Sequence, residues 1–189
     1  MNWFVFAIAS WIAFGLELGA RDVLQIGPGG IAPSFVIPLA VFVALWAPAT
    51  HALWACLALG VLADLTWHLP RTDGGIATIL GPYAIGYTLL GALVINMRGM
   101  MIRRNPITMA FLCVLGSLVA QIAVVALFTV RRVYGDPIAW DAGDELLTRA
   151  LASVYTGGVG LIVSLALFAG APLFQFQQAG GRRPAIRRS

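Results

Sequence analysis

The sequence predicts an all-α polytopic membrane protein, a single bundle of six transmembrane helices. Three observations carry the membrane assignment. Of 189 residues, 60% are hydrophobic and only 11% charged, whereas a soluble domain is nearer half apolar and a quarter charged. Mean hydropathy is +0.88. The apolar residues also gather into six runs, each near the ~20 residues a helix needs to cross the hydrocarbon core. These runs fill residues 1–175 as one transmembrane domain. Residues 176–189 form a basic tail, and no room is left for a soluble domain.

The first run, residues 3–18, has no Arg at its start and no small-residue cleavage site before Arg21, so it reads as a retained helix. The second, 31–46, is interrupted by Pro33 and Pro38. The third, 51–69, contains Asp64. The fourth, 76–97, is rich in Gly, and the fifth, 107–130, is the cleanest. The sixth covers 150–174. The linkers are short except 131–149, RRVYGDPIAWDAGDELLTR, which has the pattern of a short interfacial helix from Asp141 onward. No internal repeat and no low-complexity tract is evident.

Arginine placement sets the orientation, because cytoplasmic loops retain positive charge. All 12 basic residues are Arg. With both termini in the cytoplasm, the inner segments hold Arg98, Arg103, Arg104, Arg182, Arg183, Arg187 and Arg188 and no acid. The outer segments hold five Arg against seven acids, Glu17 among them, and Asp64 alone lies inside a span. The basic loop and tail therefore meet the cytoplasmic leaflet, where anionic lipid is the natural partner. The sequence pI near 9.7 reports this topology rather than nucleic-acid binding. Trp3, Trp46, Trp67 and Trp140 fall near run ends, where an amphipathic ring suits the headgroup zone.

Small residues at four-residue spacing allow close helix approach in lipid. Gly15 and Gly19, and Ala9 and Ala13, have that spacing, and the first pair would allow a homodimer; Gly86 and Gly91 lie on the fourth run, and Gly157, Gly158 and Gly160 cluster on the sixth. Cys56 and Cys113 lie far apart in apolar runs and read as small core residues.

The chemistry narrows to one stretch, GVLADLTWHLP, residues 60–70. An ionisable side chain within a span marks a functional or structural site. Asp64 is expected about five residues short of the outer end of its helix, with His68 one turn later on the same face. The leading reading is a structural pin: the carboxylate caps an outer loop or the next helix, with Arg21 and Arg71 as the nearest basic partners. Two others remain, a contact to a partner's transmembrane helix and a proton or metal site shared with His68. Two ligands at this spacing are too few for a stable metal site, and no third His or Cys is placed to help. Enzyme signatures are missing. There are two His in all, no G-x-S-x-G, no phosphate-cradling loop ending in Lys, and only one acid in the membrane. The sequence predicts no catalysis and no cofactor.

Residues 31–96, IAPSFVIPLAVFVALWAPATHALWACLALGVLADLTWHLPRTDGGIATILGPYAIGYTLLGALVIN, resemble the MreD family of rod-shape-determining membrane proteins. Pro33 matches the Pro that leads the family's second helix. Gly60, Asp64 and Leu65 match its G-x-x-x-D-L segment, and Gly75 its turn glycine. Tyr83 or Tyr87, with Gly91, matches the helix that follows. The loop MRGMMIRRNPIT fits the family's layout. The resemblance implies a non-catalytic component of the cell-wall elongation machinery in the bacterial inner membrane. Its implied partners are the periplasmic scaffold MreC and the wall-building glycosyltransferase and transpeptidase. The MreD fold is also similar to the substrate-binding subunits of energy-coupling-factor transporters, where an A-x-x-x-A on the first helix meets the transport module. Ala9 and Ala13 have that spacing, so a solute-binding subunit is the second reading. A vitamin pocket needs polar and aromatic groups converging on one cavity. The polar groups here are strung along the third run and its loop, and the remaining runs offer few beyond Gln121 and Asn96, which favours the scaffold.

Overall fold

In lipid no water satisfies a bare peptide group, so each apolar run closes its own hydrogen bonds as a helix. The computed structural model describes residues 1–27, 30–67, 69–70, 76–101, 104–134 and 142–176. Six helices follow one another among them: α1 (Trp3–Leu24), α2 (Val36–Trp46), α3 (Ala49–Thr66), α4 (Pro82–Met97), α5 (Pro106–Val133) and α6 (Ala142–Gly170), with a 3-10 turn at Ala171–Phe174. Two two-residue strands, β1 (Leu69–Pro70) and β2 (Ile76–Ala77), pair antiparallel between α3 and α4. The chain is a multi-pass α-helical membrane protein, as its composition predicts.

The helices are unequal. Four, counting α6 together with the 3-10 turn that follows it, have the length and apolarity to cross a membrane. The second has 11 residues, about 16 Å at 1.5 Å per residue, roughly half a hydrocarbon core. It is buried at every position from Val36 to Leu45. A helix that is hydrophobic all round belongs inside a bundle, and α1, α3, α4, α5 and α6 all pack against it. Pro38 sits in its first turn, where a missing N–H costs no intrahelical bond. Pro33 stands before the helix and biases Ala32 toward extended backbone. The expected start at residue 31 therefore moves to Val36.

Three other boundaries differ from expectation. The first helix runs on to Leu24, which places Glu17 inside it rather than in an outer segment. The third ends at Thr66, because Trp67 is extended (φ −93°, ψ 129°). Asp64 therefore occupies the last turn rather than lying five residues short of the end. His68, expected on the same face, lies outside the described residues. Within the long linker the described residues belong to its neighbours: 131–133 end α5 and the part from Ala142 starts α6, in place of a separate interfacial helix there. Asp144 and Glu145 sit in that first turn, where negative charge suits the helix dipole.

Small residues make the contacts expected of them in the middle of the bundle. A Cβ on Gly86 would lie 2.8 Å from the carbonyl oxygen of Ala120, so α4 and α5 touch backbone to backbone there. The first helix is different. Gly15 and Gly19 are exposed, with nothing within 4 Å of an added Cβ, so this G-x-x-x-G joins no helices within the chain.

Arg98 was grouped with the membrane-surface arginines, and it has an inward role. It is half-buried and its guanidinium donates to the carbonyls of Ala47 (2.7 Å) and Ala44 (3.4 Å) at the C-terminal end of α2. Arg104 is exposed. Arg103, Arg182 and Arg183, like the turn containing Gly75, lie outside the described residues.

Candidate functional site

At one end of the bundle α1, α3 and α5 finish and α2, α4 and α6 begin. Three helix N-termini meet there, each with amides that have no intrahelical acceptor. Two carboxylates from neighbouring helices supply acceptors for two of them.

Asp64 serves α4. Its Oδ2 accepts from the backbone N–H of Gly81 (2.8 Å) and Ala84 (3.1 Å), and its Oδ1 from that of Tyr83 (2.9 Å). Pro82, the first helical residue, has no N–H to satisfy. The side chain is 1% exposed, and among the described residues its hydrogen bonds all come from the start of α4; Arg71 lies outside the described residues. This is a helix N-cap delivered from another helix, the capping geometry anticipated for Asp64. Gly60, one turn earlier, makes it possible. A Cβ there would lie 2.5 Å from the Tyr83 carbonyl and 2.6 Å from the Ala84 Cα, so only Gly lets α3 come this close.

Glu17 serves α2 in the same manner. Its Oε2 accepts from the Ser34 hydroxyl (2.8 Å) and from the N–H of Phe35 and Val36 (3.0 Å each). The Ser34 Oγ in turn accepts from the Ile37 N–H (3.3 Å). Thr156 of α6 completes the set by accepting from the Ser34 N–H (3.0 Å).

The two caps occupy matching places in the chain. Glu17-Leu18 and Asp64-Leu65 are 47 residues apart, and so are Ser34 and Gly81 and also Val36 and Tyr83. A small residue stands one turn before each acid, Ala13 and Gly60. A bridged hairpin links each helix pair, Ile26 with Ile31 and β1 with β2. The structure thus corrects the reading that the chain has no internal repeat. The plan acid-Leu, Gly-containing hairpin, short apolar helix occurs twice, with little sequence identity between its copies.

Between these caps lies a cavity of about 290 Å³. Its walls come from all six helices and from the segment before α2. Arg149 of α6 organises one side: it pairs with Glu145 (2.8 Å) and donates to the Tyr83 hydroxyl (2.8 Å) and to Gln121 Oε1 (2.6 Å). Behind it Ser117 and Ser153 share a hydrogen bond of 2.8 Å. On the other side Arg21 lies over the Trp67 ring, 4.1 Å from its centroid, and Trp67 stacks on Tyr83 at 6.1 Å and 16°. Aromatic faces attract cations in this arrangement.

Sequence reasoning singled out Asp64, Gly60 and Pro33. The structure brings them to this end of the bundle, with Pro33 in the cavity wall. Gly86 belongs to the α4–α5 contact instead. Glu17, Arg149 and Gln121 were missed as one site. The first had a usable signal, the repeated small-x-x-x-acid-Leu pattern. The other two converge only in three dimensions. Contrary to the expectation from sequence, polar groups from several helices gather on this one cavity.

The fold and site define a class, a helical membrane bundle with trans-capped buried helices and a polar cavity at one end. Compared with protein-family models, curated proteins and solved structures, the chain gives no match in any of the three.

Proposed function

We propose that this protein is a non-catalytic scaffold of the MreD kind, resident in the bacterial inner membrane with both termini in the cytoplasm. Its partners on this reading are a periplasmic MreC-like coiled-coil protein and the wall-elongation glycosyltransferase and transpeptidase, with anionic lipid against its basic loop and tail. One observation carries the reading. Three residues of the resemblance act together as one joint: Gly60 admits α4, Asp64 caps it, and Tyr83 is among the residues capped. A segment whose matched residues build a single rigid corner has the character of a docking platform.

The cavity favours a second reading, a solute-binding subunit of a transporter. Affinity purification of the tagged protein in mild detergent, with mass spectrometry of the captured proteins, separates the two. The scaffold reading expects the periplasmic coiled-coil protein or the elongation polymerase, retained by Asp64→Asn and lost with Asp64→Leu. Capture of paired ATPase subunits with a coupling membrane protein would make the chain a transporter subunit. Capture of neither removes the scaffold reading.

A further inference from the structure

Most polar groups of the cavity are already engaged by the chain. Both oxygens of Asp64 take backbone amides, Arg149 is held by Glu145, Tyr83 and Gln121, and Thr156 accepts from Ser34. Two charged groups in the lining are not used up. The Glu17 Oε2 takes all three capping bonds, which leaves Oε1 without a hydrogen-bond partner among the described residues. The Arg21 guanidinium rests on the face of Trp67, and no carboxylate among the described residues lies within ion-pairing distance of it.

These two residues stand one turn apart on α1, about 6 Å along the axis. Each faces the cavity, and neither pairs with the other at contact distance. A negative and a positive group at that spacing, on one wall, complement a ligand that carries both charges itself. The stacked Trp67 and Tyr83 rings offer a flat apolar surface beside them. The volume of about 290 Å³ is at the small end of ligand pockets. It suits a compact solute or a single headgroup rather than a whole two-chain lipid.

We propose that the cavity binds a small zwitterion, its ammonium on Glu17 Oε1 and its anionic group on Arg21. Two sources offer that chemistry: a free amino acid, and the headgroup of phosphatidylethanolamine. The inference does not depend on the scaffold reading, since a scaffold and a transporter subunit both accommodate such a ligand.

The test is thermal unfolding of the purified full chain in detergent. The probes are the twenty amino acids, with tryptamine and indole-3-propionate as amine-only and acid-only counterparts of tryptophan. A parallel arm compares nanodiscs of phosphatidylethanolamine with nanodiscs of phosphatidylglycerol. A ligand that binds only the folded state raises the midpoint in a concentration-dependent way. We expect at least one zwitterion to do so, with Arg21→Gln and Glu17→Gln each weakening it at least tenfold. Gln at position 17 keeps a carbonyl oxygen for the α2 cap. Arg21→Gln lies outside both caps, and its ligand-induced shift is read against its own unliganded midpoint, so it decides the matter if the other variant unfolds. A shift with amino acids assigns a free solute, and a shift only with phosphatidylethanolamine assigns the lipid headgroup. No shift with any zwitterion overturns the proposal. So does an equal shift with tryptamine or indole-3-propionate, or a shift that survives Arg21→Gln.

Discussion

A buried carboxylate in lipid persists only if its charge is compensated, and among the described residues Asp64 is compensated by three backbone amides. That compensation does not require an arginine. It also sets the cost of replacing it. Asp64→Asn keeps one acceptor oxygen but turns an N–H donor toward the capped amides, and should cost about 1–2 kcal/mol. Asp64→Leu leaves all three amides bare and should cost more, on the order of 3–5 kcal/mol. Thermal unfolding in detergent is expected to rank wild type above Asn and Asn above Leu. A Leu variant as stable as wild type would mean that the cap contributes nothing.

At the scale of the element, α2 poses the hardest problem in the chain. An 11-residue helix cannot reach both membrane surfaces, so water cannot satisfy both its ends. The protein meets this with opposite charges from its neighbours: Glu17 at the N-terminus and Arg98 at the C-terminus, each matched to the sign of the helix dipole. Amide hydrogen exchange should read this directly. In wild type the α2 amides are expected to be among the slowest. Glu17→Ala should release Phe35 and Val36 first, while Arg98→Met should loosen the opposite end, each by roughly 1–3 kcal/mol of local stability. Uniform loss of protection over all six helices would point to global unfolding instead. The same logic makes the two caps one device used twice, because α4, with 16 residues, also falls short of a full span at its capped end.

For the whole molecule, the caps and cavity lie at the end opposite the basic loop between α4 and α5. The proposed orientation, argued from charge bias, turns that end outward. Thiol labelling of intact cells checks it. Cys56 and Cys113 are fully buried, so single cysteines added at exposed positions can be read against a quiet background. Val23→Cys and Tyr134→Cys, 84% and 86% exposed, should react with an impermeant reagent from outside. Met100→Cys, 91% exposed, should react only after the cells are opened. The reverse pattern would invert the orientation and place the cavity in the cytoplasm.

Some of this was legible in one dimension. Hydrophobicity is a local property of the chain, so six apolar runs, their helical state and the membrane solvent follow from the sequence alone. So does the oddity of Asp64, since charge inside a run is visible wherever it occurs. Helix ends were less legible. They depend on φ and ψ at residues such as Trp67 and on acceptors that arrive from elsewhere, which is why Glu17 reads as a loop acid and proves to lie inside α1. The convergence of Glu17, Arg21, Tyr83, Gln121 and Arg149 on one cavity belongs to the tertiary structure only. These residues span 133 positions, and no periodicity within a run connects them. Composition determined the solvent of this protein and the number of its helices. Packing decided which short helix is buried whole, and therefore which distant side chains must come to cap it.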